Sequence, residues 1–572
     1  MDCREKIVSE DYFSLILDFP FREAQLLMEE GHDFCYEVVD GTLGVIYVPG
    51  SDTNPISVAN FLYRYIPQVY GLESFPAAGG REFNPWPLES VGILTQQRPP
   101  LALTGSGTVL AVIDTGISYE NPVFRYSDGS SRILAIWDQS DQSGQPPEGF
   151  AYGTEYTREQ INEALNSPDP QQIVPHRDEI GHGTAMASVA AGSRIDGGIT
   201  FTGAAPDAQI VVVKVKPAKQ YLRDYYLIRD GVPAYSADDI IFAIKYVRQF
   251  AVPFEQPVVL CYGMGTSLGS HTGSSFLSLY LQQVTARLGI GVAVSGGNEG
   301  NSAGHFRAML EESPKLAEIR VGDNMRGFMA ELWGASPSVF QVSVRSPGGE
   351  VIPETNFRIN REVDYTFIYE KTRVIMTYVP NERNTGEELI VMRFINPAPG
   401  IWSIVVRGAR VGTNSYFDIW LTQRQFQSGE VYFLTPTPEI TLTVPSYAED
   451  VVTVTAYDSE TGSFYFNSGQ GFSRIGKNKP DLSAPGVSVS TVNGPYTGSA
   501  MAAAVTAGAM LQLMQWSVTE GNVPFISGRG IKDYLIRGAA RERGVDYPSR
   551  QWGYGKLDLT GTFDAIAGRF PE

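Results

Sequence analysis

Four stretches of this chain are apolar almost throughout: "TVLAVID" (108–114), "AQIVVVKVK" (208–216), "QPVVLCYGMG" (256–265) and "GIGVAVSGG" (289–297). A strand with one wet face alternates apolar and polar residues, whereas a strand that is apolar on both sides must be covered on both faces. Between these runs lie segments with helical spacing, "GTAMASVAAG", "ADDIIFAIKYVRQFA" and "SSFLSLYLQQVTARL". Buried strands alternating with helices predict an α/β unit whose parallel sheet carries helices on both faces.

The flanking regions read differently. Residues 1–84 alternate short apolar runs with polar turns ("YFSLILDF", "FCYEVVDG", "LGVIYVPG", "ISVANFLYRYI") and predict a small α+β unit. "FPAAGGREFNPWPLES" follows, with the glycine and proline density of a linker. The α/β alternation stops near 303, and residues from about 330 to 440 are β-rich with Pro/Gly turns, as in a sandwich or jelly roll. It resumes at "AEDVVTVTAYD" and closes on two helices, "AMAAAVTAGAMLQLMQW" and "GIKDYLIRGAA". The predicted organisation is therefore 1–84, then an α/β domain made of 85–302 and 441–572, interrupted by a β domain at 303–440. A chain of 572 residues is long enough for several cores.

The net charge of −19 argues against non-specific nucleic-acid binding, which needs a basic surface. No run of about 18 apolar residues is present, so no membrane span is predicted. The N-terminus lacks the apolar core of a secretory signal, and three scattered cysteines (Cys3, Cys35, Cys261) do not read as a disulfide framework. Both point to an intracellular, reducing location.

Four short segments carry candidate chemistry. "AVIDTG" puts Asp114 at the end of a central strand, the edge where α/β sheets build sites. "DEIGHGTAMASVAAG" places His182 between glycines that permit close backbone approach. The other histidines, His32, His176, His271 and His305, have no such context and read as surface or structural. "VAVSGGNEGN" brings Asn298 to a strand end, where its amide would stabilise a developing oxyanion. "GPYTGSAMAAAVTAGAM" opens a helix of small residues around Ala500.

The order Asp, His, Asn, nucleophile-bearing helix resembles that of the subtilases, the subtilisin-like serine proteases. The resemblance extends through "LTGSGTVLAVIDTG", "TGAAPDAQIVVVKV", "PSYAEDVVTVTAYD" and "KPDLSAPGVSV", covering roughly 85–300 and 440–565. It implies a subtilisin-like fold with Asp114 orienting His182, His182 as general base, and Asn298 as oxyanion donor. The family's Gly-Thr-Ser-Met-Ala reads Gly498-Ser499-Ala500-Met501-Ala502 here, so Ala500 occupies the nucleophile position. Ser499 stands one residue away, rotated about 100° around the helix, and does not replace it. Substrate is expected as a strand along Gly263, Met264 and Gly265 and against Ser295, Gly296 and Gly297.

A propeptide-sized N-terminal unit, no signal and a β insertion resemble the Csp germination proteases of clostridial spores. Asn298 and Ala500 are 202 residues apart, leaving room for that insertion. The resemblance implies a prodomain that the enzyme cuts yet keeps bound, a jelly roll packed on the catalytic domain, a location within the spore, and a cortex-lytic enzyme zymogen as substrate. Self-cleavage is expected within about 75–90. No cofactor is implied, and calcium, which subtilases often bind, has no Asp-rich loop with ligand spacing here. An introduced Ser→Ala change fits the retention of Asp114, His182 and Asn298. A natural pseudoprotease acting as a non-catalytic signalling or binding partner is the alternative. A third possibility, a plain degradative subtilase, fits the long insertion less well.

Overall fold

The computed structural model describes residues 2–18, 33–41, 43–53, 56–78, 83–195, 201–252, 255–353, 362–412 and 415–569. The four apolar runs form four adjacent strands at the centre of an eight-stranded sheet. The strand order is Leu482–Pro485, Val452–Tyr457, Ile290–Ser295, Val258–Tyr262, Val109–Asp114, Gln209–Lys214, Ile133–Asp138 and Thr154–Thr157. All neighbours run parallel except the last pair at the edge. The helices His182–Ala191, Ser499–Met514 and Gly528–Gly538 cover one face, and Ala237–Val247 and Phe276–Thr285 cover the other. Apolar side chains on both sides of each strand are therefore out of water, as the uninterrupted runs require.

Two antiparallel sheets follow the α/β unit. A six-stranded one joins His305–Met309, Tyr416–Leu421, Gly327–Gly334, Glu388–Ile395, Arg373–Val379 and Glu362–Thr366. A four-stranded one joins Val339–Arg345, Gly400–Arg410, Lys315–Val321 and Val431–Phe433. Their inner faces share one apolar core that includes Phe328, Leu332, Phe340, Trp402 and Phe417, the arrangement of a sandwich. The strands start well before the β-rich stretches that stand out by composition, because His305–Met309 and Lys315–Val321 carry charges on one face.

The N-terminal unit is a three-stranded antiparallel sheet, ordered Tyr12–Asp18, Leu43–Pro49, Cys35–Val38. Its first helix, Cys3–Val8, is capped by Asp2 and Glu5 in a capping box. "ISVANFLYRYI" forms a turn at Ser57–Phe61 and the tight helical turn Tyr63–Tyr65 rather than a regular helix. One sheet face packs Ile16, Val45 and Tyr47 onto the core that holds Ile240 and Ile244. Phe13 and Leu15 of the other face join a cluster with Tyr221, Trp333 and Trp420, so the unit is wedged between the α/β domain and the β insertion.

One expectation changes. Cys3 and Cys35 are joined in a disulfide, with Cα atoms 5.4 Å apart, and only Cys261 is an unpaired, buried thiol. The first helix folds back onto the Cys35–Val38 strand, a proximity that a separation of 32 residues does not reveal. His176, His271 and His305 are buried, each with hydrogen-bond partners. His32 lies outside the described residues.

Lys219, buried in the α/β domain, ties the N-terminal unit down by donating to the carbonyls of Ser9 and Tyr12, each at 2.7 Å. Lys219→Met would leave both carbonyls without that donor, at a cost of about 1–3 kcal/mol. The expected outcome is a lower denaturation midpoint and faster amide exchange in residues 9–18, measured by hydrogen–deuterium exchange.

Candidate active site

Asp114 ends its strand fully buried, level with Lys214 at the carboxyl edge of the sheet. Its Oδ1 accepts the Thr115 N–H at 2.7 Å. His182 starts its helix after Gly181, whose φ of 82° turns the chain into the helix. The ring Nδ1 lies 2.8 and 2.9 Å from the two Asp114 oxygens. The carboxylate can only accept, so Nδ1 donates and Nε2 is the nitrogen left for other work. A Cβ on Gly183 would collide with the Gly116 carbonyl and come within 3.1 Å of Asp114 Cβ, so glycine is what lets this helix start meet the strand end.

Asp178 joins the two loops. It accepts from the Thr115 hydroxyl at 2.7 Å, from Gly181 N–H at 2.8 Å and from Thr184 N–H at 2.9 Å. Burial by itself disfavours the His182 imidazolium. The Asp114 carboxylate, by charge and hydrogen bond, aided by Asp178 and Glu73, outweighs burial and lifts the imidazole above its usual range.

Asn298 follows the Ile290–Ser295 strand. Its Oδ1 accepts the Ser499 N–H at 3.0 Å, which turns Nδ2 toward the start of the Ser499–Met514 helix. There Nδ2 donates to the Glu73 carbonyl oxygen at 2.7 Å, and the Ala500 N–H donates to the same oxygen at 3.1 Å. Ser499 Oγ and His182 Nε2 are both buried without a hydrogen-bond partner, so they are not bonded to each other. Ser499 does not take the position that Ala500 occupies.

The chain itself runs through this site. Val69–Leu72 is a strand between two others, with Leu72 opposite Met264 and Gly71 opposite Gly265 on one side and Tyr70 opposite Tyr235 on the other. Glu73 N–H donates to the Gly263 carbonyl at 3.0 Å. Beyond Ser74, Phe75–Pro76 pairs with Gly494–Thr497, and Ala77 N–H donates to the Pro495 carbonyl at 2.8 Å. Gln425, from the β insertion, donates to the Leu72 carbonyl at 3.0 Å. The bond presented at the helix start is thus Glu73–Ser74, upstream of the 75–90 window expected from the Gly/Pro-rich stretch. That composition reads as a linker, but its first residues are paired as a strand, and 79–82 lie outside the described residues.

The Glu73 side chain is buried in a pocket of its own. Ser295 Oγ donates to one carboxyl oxygen, Thr443 Oγ1 to the other, and the Gly297 N–H also points to the group. A Cβ on Gly265 would collide with Glu73 Oε1 and with Thr443, so only glycine leaves space for the carboxyl. Gly296 directs its backbone hydrogen bonds away from Glu73. Its N–H donates to Val454 at 2.8 Å and its carbonyl accepts from Thr443 N–H at 3.3 Å, which positions Thr443.

The structure therefore brings Asp114, His182, Asn298, Ala500, Gly263, Met264, Gly265, Ser295 and Gly297 around one peptide bond. Sequence reasoning missed Glu73, Thr443, Gln425, the Tyr235–Ser236 strand and Asp178. Only Asp178 had a visible signal, four residues before His182 in "DEIGHGT". Among the described residues, the one cluster of three His, Cys, Asp or Glu donors is Cys3, Cys35 and Glu37, and its two sulfurs are joined to each other. No helix among the described residues is long and apolar enough to cross a membrane.

Because burial and Asp114 oppose each other at His182, removing the carboxylate charge exposes the burial effect. Asp114→Asn should bring the imidazole from above its usual value of 6.5 to below it, read from the pH titration of its ring resonances. A midpoint unmoved by the substitution would contradict this account of the dyad.

Comparison with known proteins agrees with the geometry. The subtilase family model matches residues 105–330 and 436–555. The Arabidopsis thaliana subtilisin-like protease SBT3.5 is 23% identical over 466 residues, which cover 72% of this chain and 56% of that protein. SBT1.2 of the same plant is 30% identical over 127 residues, 19% of this chain and 16% of its own length. The chain thus spans about half the length of SBT3.5, or less, in these curated relatives. Among solved structures, the Clostridium perfringens CspB protease superposes with a TM-score of 0.72 at 27% identity, covering 85% of this chain and 99% of that one. With its family model matched across more than half its length and its site residues gathered in the order the motifs predict, the chain belongs to the subtilase family.

Proposed function

We propose that this site is built for endoproteolysis by acyl transfer, that its first substrate is the chain's own Glu73–Ser74 bond, and that alanine at position 500 arrests it before that cut. One observation carries the reading: the Glu73 carbonyl oxygen sits between Asn298 Nδ2 and the residue-500 N–H, 2.7 and 3.1 Å away. Two donors converging on one carbonyl are the arrangement that stabilises a tetrahedral oxyanion.

With serine at 500, the steps follow from the groups present. His182 Nε2 would take the hydroxyl proton while Asp114 holds the imidazolium that forms. The serine oxygen would bond to the Glu73 carbonyl carbon, and the carbonyl electrons would move to the oxygen held by Asn298 and the helix N–H. On collapse, the bond to Ser74 N breaks and His182 returns its proton to that nitrogen. Water would then release Glu73 by the same route. Loss of the hydroxyl costs a subtilisin-type site about 10⁶ in turnover, so the chain with Ala500 is a trapped precursor.

In this reading residues 1–73 are the prodomain, held both by its core contacts and by its C-terminal strand in the cleft. The likeness to the CspB protease supports a role in spore germination, with a cortex-lytic enzyme zymogen as the substrate in trans and the spore as its location. The β insertion supports a narrow substrate range, since its Gln425 reaches over the cleft to the Leu72 carbonyl. A second reading, a pseudoprotease that acts by binding, is favoured by one observation. Ser499 Oγ has no partner, so no hydroxyl of this helix engages His182.

Intact-mass measurement separates the two. The Ala500 chain should run as one piece, and Ala500→Ser should yield fragments that part between Glu73 and Ser74. A serine-bearing chain that stays whole and leaves a zymogen uncut would establish the binding role instead.

A further inference from the structure

The pocket around the Glu73 side chain has an unusual chemistry for holding an acid. Its donors are two hydroxyls, Ser295 and Thr443, and the Gly297 N–H. No lysine or arginine forms an ion pair with Glu73 among the described residues. The titratable groups that face it are Glu299, from the loop after Asn298, Tyr262, from the neighbouring strand, and His182, across the site. Of these Glu299 is an acid, Tyr262 is fully buried and raised above its usual range, hence neutral, and His182 is paired with Asp114 and lies outside the pocket's donor set. A pocket meant for a carboxylate carries a cation, as the fork of an arginine shows. A pair of hydroxyls can both donate and accept, so it serves a neutral acid or an amide equally well.

We propose that Ser295, Thr443 and the Gly297 N–H form a specificity pocket for an uncharged hydrogen-bonding side chain, so that this subtilase site recognises Gln–X bonds and Glu–X bonds in the protonated form. The proposal rests on the endoproteolytic reading and names its substrate class. It also makes the hold on the chain's own segment depend on pH. Burial, with Glu299 adding to it, pushes the Glu73 carboxyl up to about 7, against the opposing hydrogen bonds of Ser295, Thr443 and Gly297.

The sign of the linkage is fixed by that direction. A carboxyl whose value is raised from 4.5 in the free chain to about 7 in the pocket contributes fully below 4.5. Its contribution falls as pH rises between those values and is lost above about 7. Glutamine, with the same shape and no charge, does not titrate. The neutral acid, unlike the carboxylate, also leaves one oxygen to donate a hydrogen back to Ser295 or Thr443.

Two series test this. In the full Ala500 chain, the melting temperature of Glu73→Gln is compared with that of the parent from pH 5 to pH 8.5. The difference should grow in favour of glutamine up to about pH 7 and then level off. A difference that stays constant across the range overturns the proposal. In the Ala500→Ser chain, release of residues 1–73 is timed with Glu, Gln, Leu or Lys at position 73. The Glu-to-Gln rate ratio should be steady in mild acid and fall up to tenfold per pH unit above about 7. The His182 limb is read separately in each variant from its ring resonances, because the Glu73 charge itself helps to lift His182. Leu and Lys should be slower than Gln by about 10²-fold or more, because they leave the buried hydroxyls unmatched. Ser295→Ala with Thr443→Val should narrow the gap between Leu and Gln. A Lys or Leu chain cut as fast as Gln, or a flat Glu-to-Gln ratio, overturns the proposal. If the serine-bearing chain cuts no variant, the endoproteolytic reading fails, and the melting series still decides the chemistry of the pocket.

Discussion

The carbonyl oxygen of Glu73 is where three parts of this molecule meet. It accepts from Asn298, which ends a central strand, and from the first turn of the helix that fills the sheet's lower face. It belongs to the segment that leads out of the N-terminal unit. Each donor is set by something larger. Asn298 is oriented by the Ser499 N–H, and the helix is held by its complete burial among small side chains. Orphan N–H groups at a helix start need acceptors, and here an incoming peptide supplies one.

This arrangement ties folding to function. The N-terminal unit docks through Lys219 and two apolar faces, and that docking delivers its own C-terminal strand between Tyr235–Ser236 and Met264–Gly265. Backbone pairing on both sides aligns the strand to within one residue, because a shift by one would move Glu73 out of its pocket and put Leu72 or Ser74 there. The β insertion completes the enclosure through Gln425. Recognition is therefore shared among all three units. The chemistry is confined to Asp114, His182, Asn298 and position 500.

Electrostatics divides the site into two halves. On the dyad side, burial alone would leave His182 neutral, and the Asp114 carboxylate reverses that preference. On the pocket side, no lysine or arginine among the described residues pairs with the Glu73 carboxyl, so burial prevails and favours the neutral acid. The same physical cost, removal of a charge from water, is offset in one place and left standing in the other. That contrast separates a group that must carry charge during the reaction from one that only has to be recognised.

The sequence by itself determined the buried parallel sheet, because uninterrupted apolar strands have no stable alternative, and it determined which residues could do chemistry, because they sit in local motifs at strand ends and helix starts. Asp114, His182, Asn298 and the register of Ala500 were legible for that reason. The tertiary structure alone decided which peptide bond lies in the site, that Thr443 shares its pocket with Ser295, and that Cys3 meets Cys35. Glu73 is 225 residues from Asn298 and 370 from Thr443. Its position depends on strand register and on the docking of a separate unit, and no local spacing encodes contacts made across such distances.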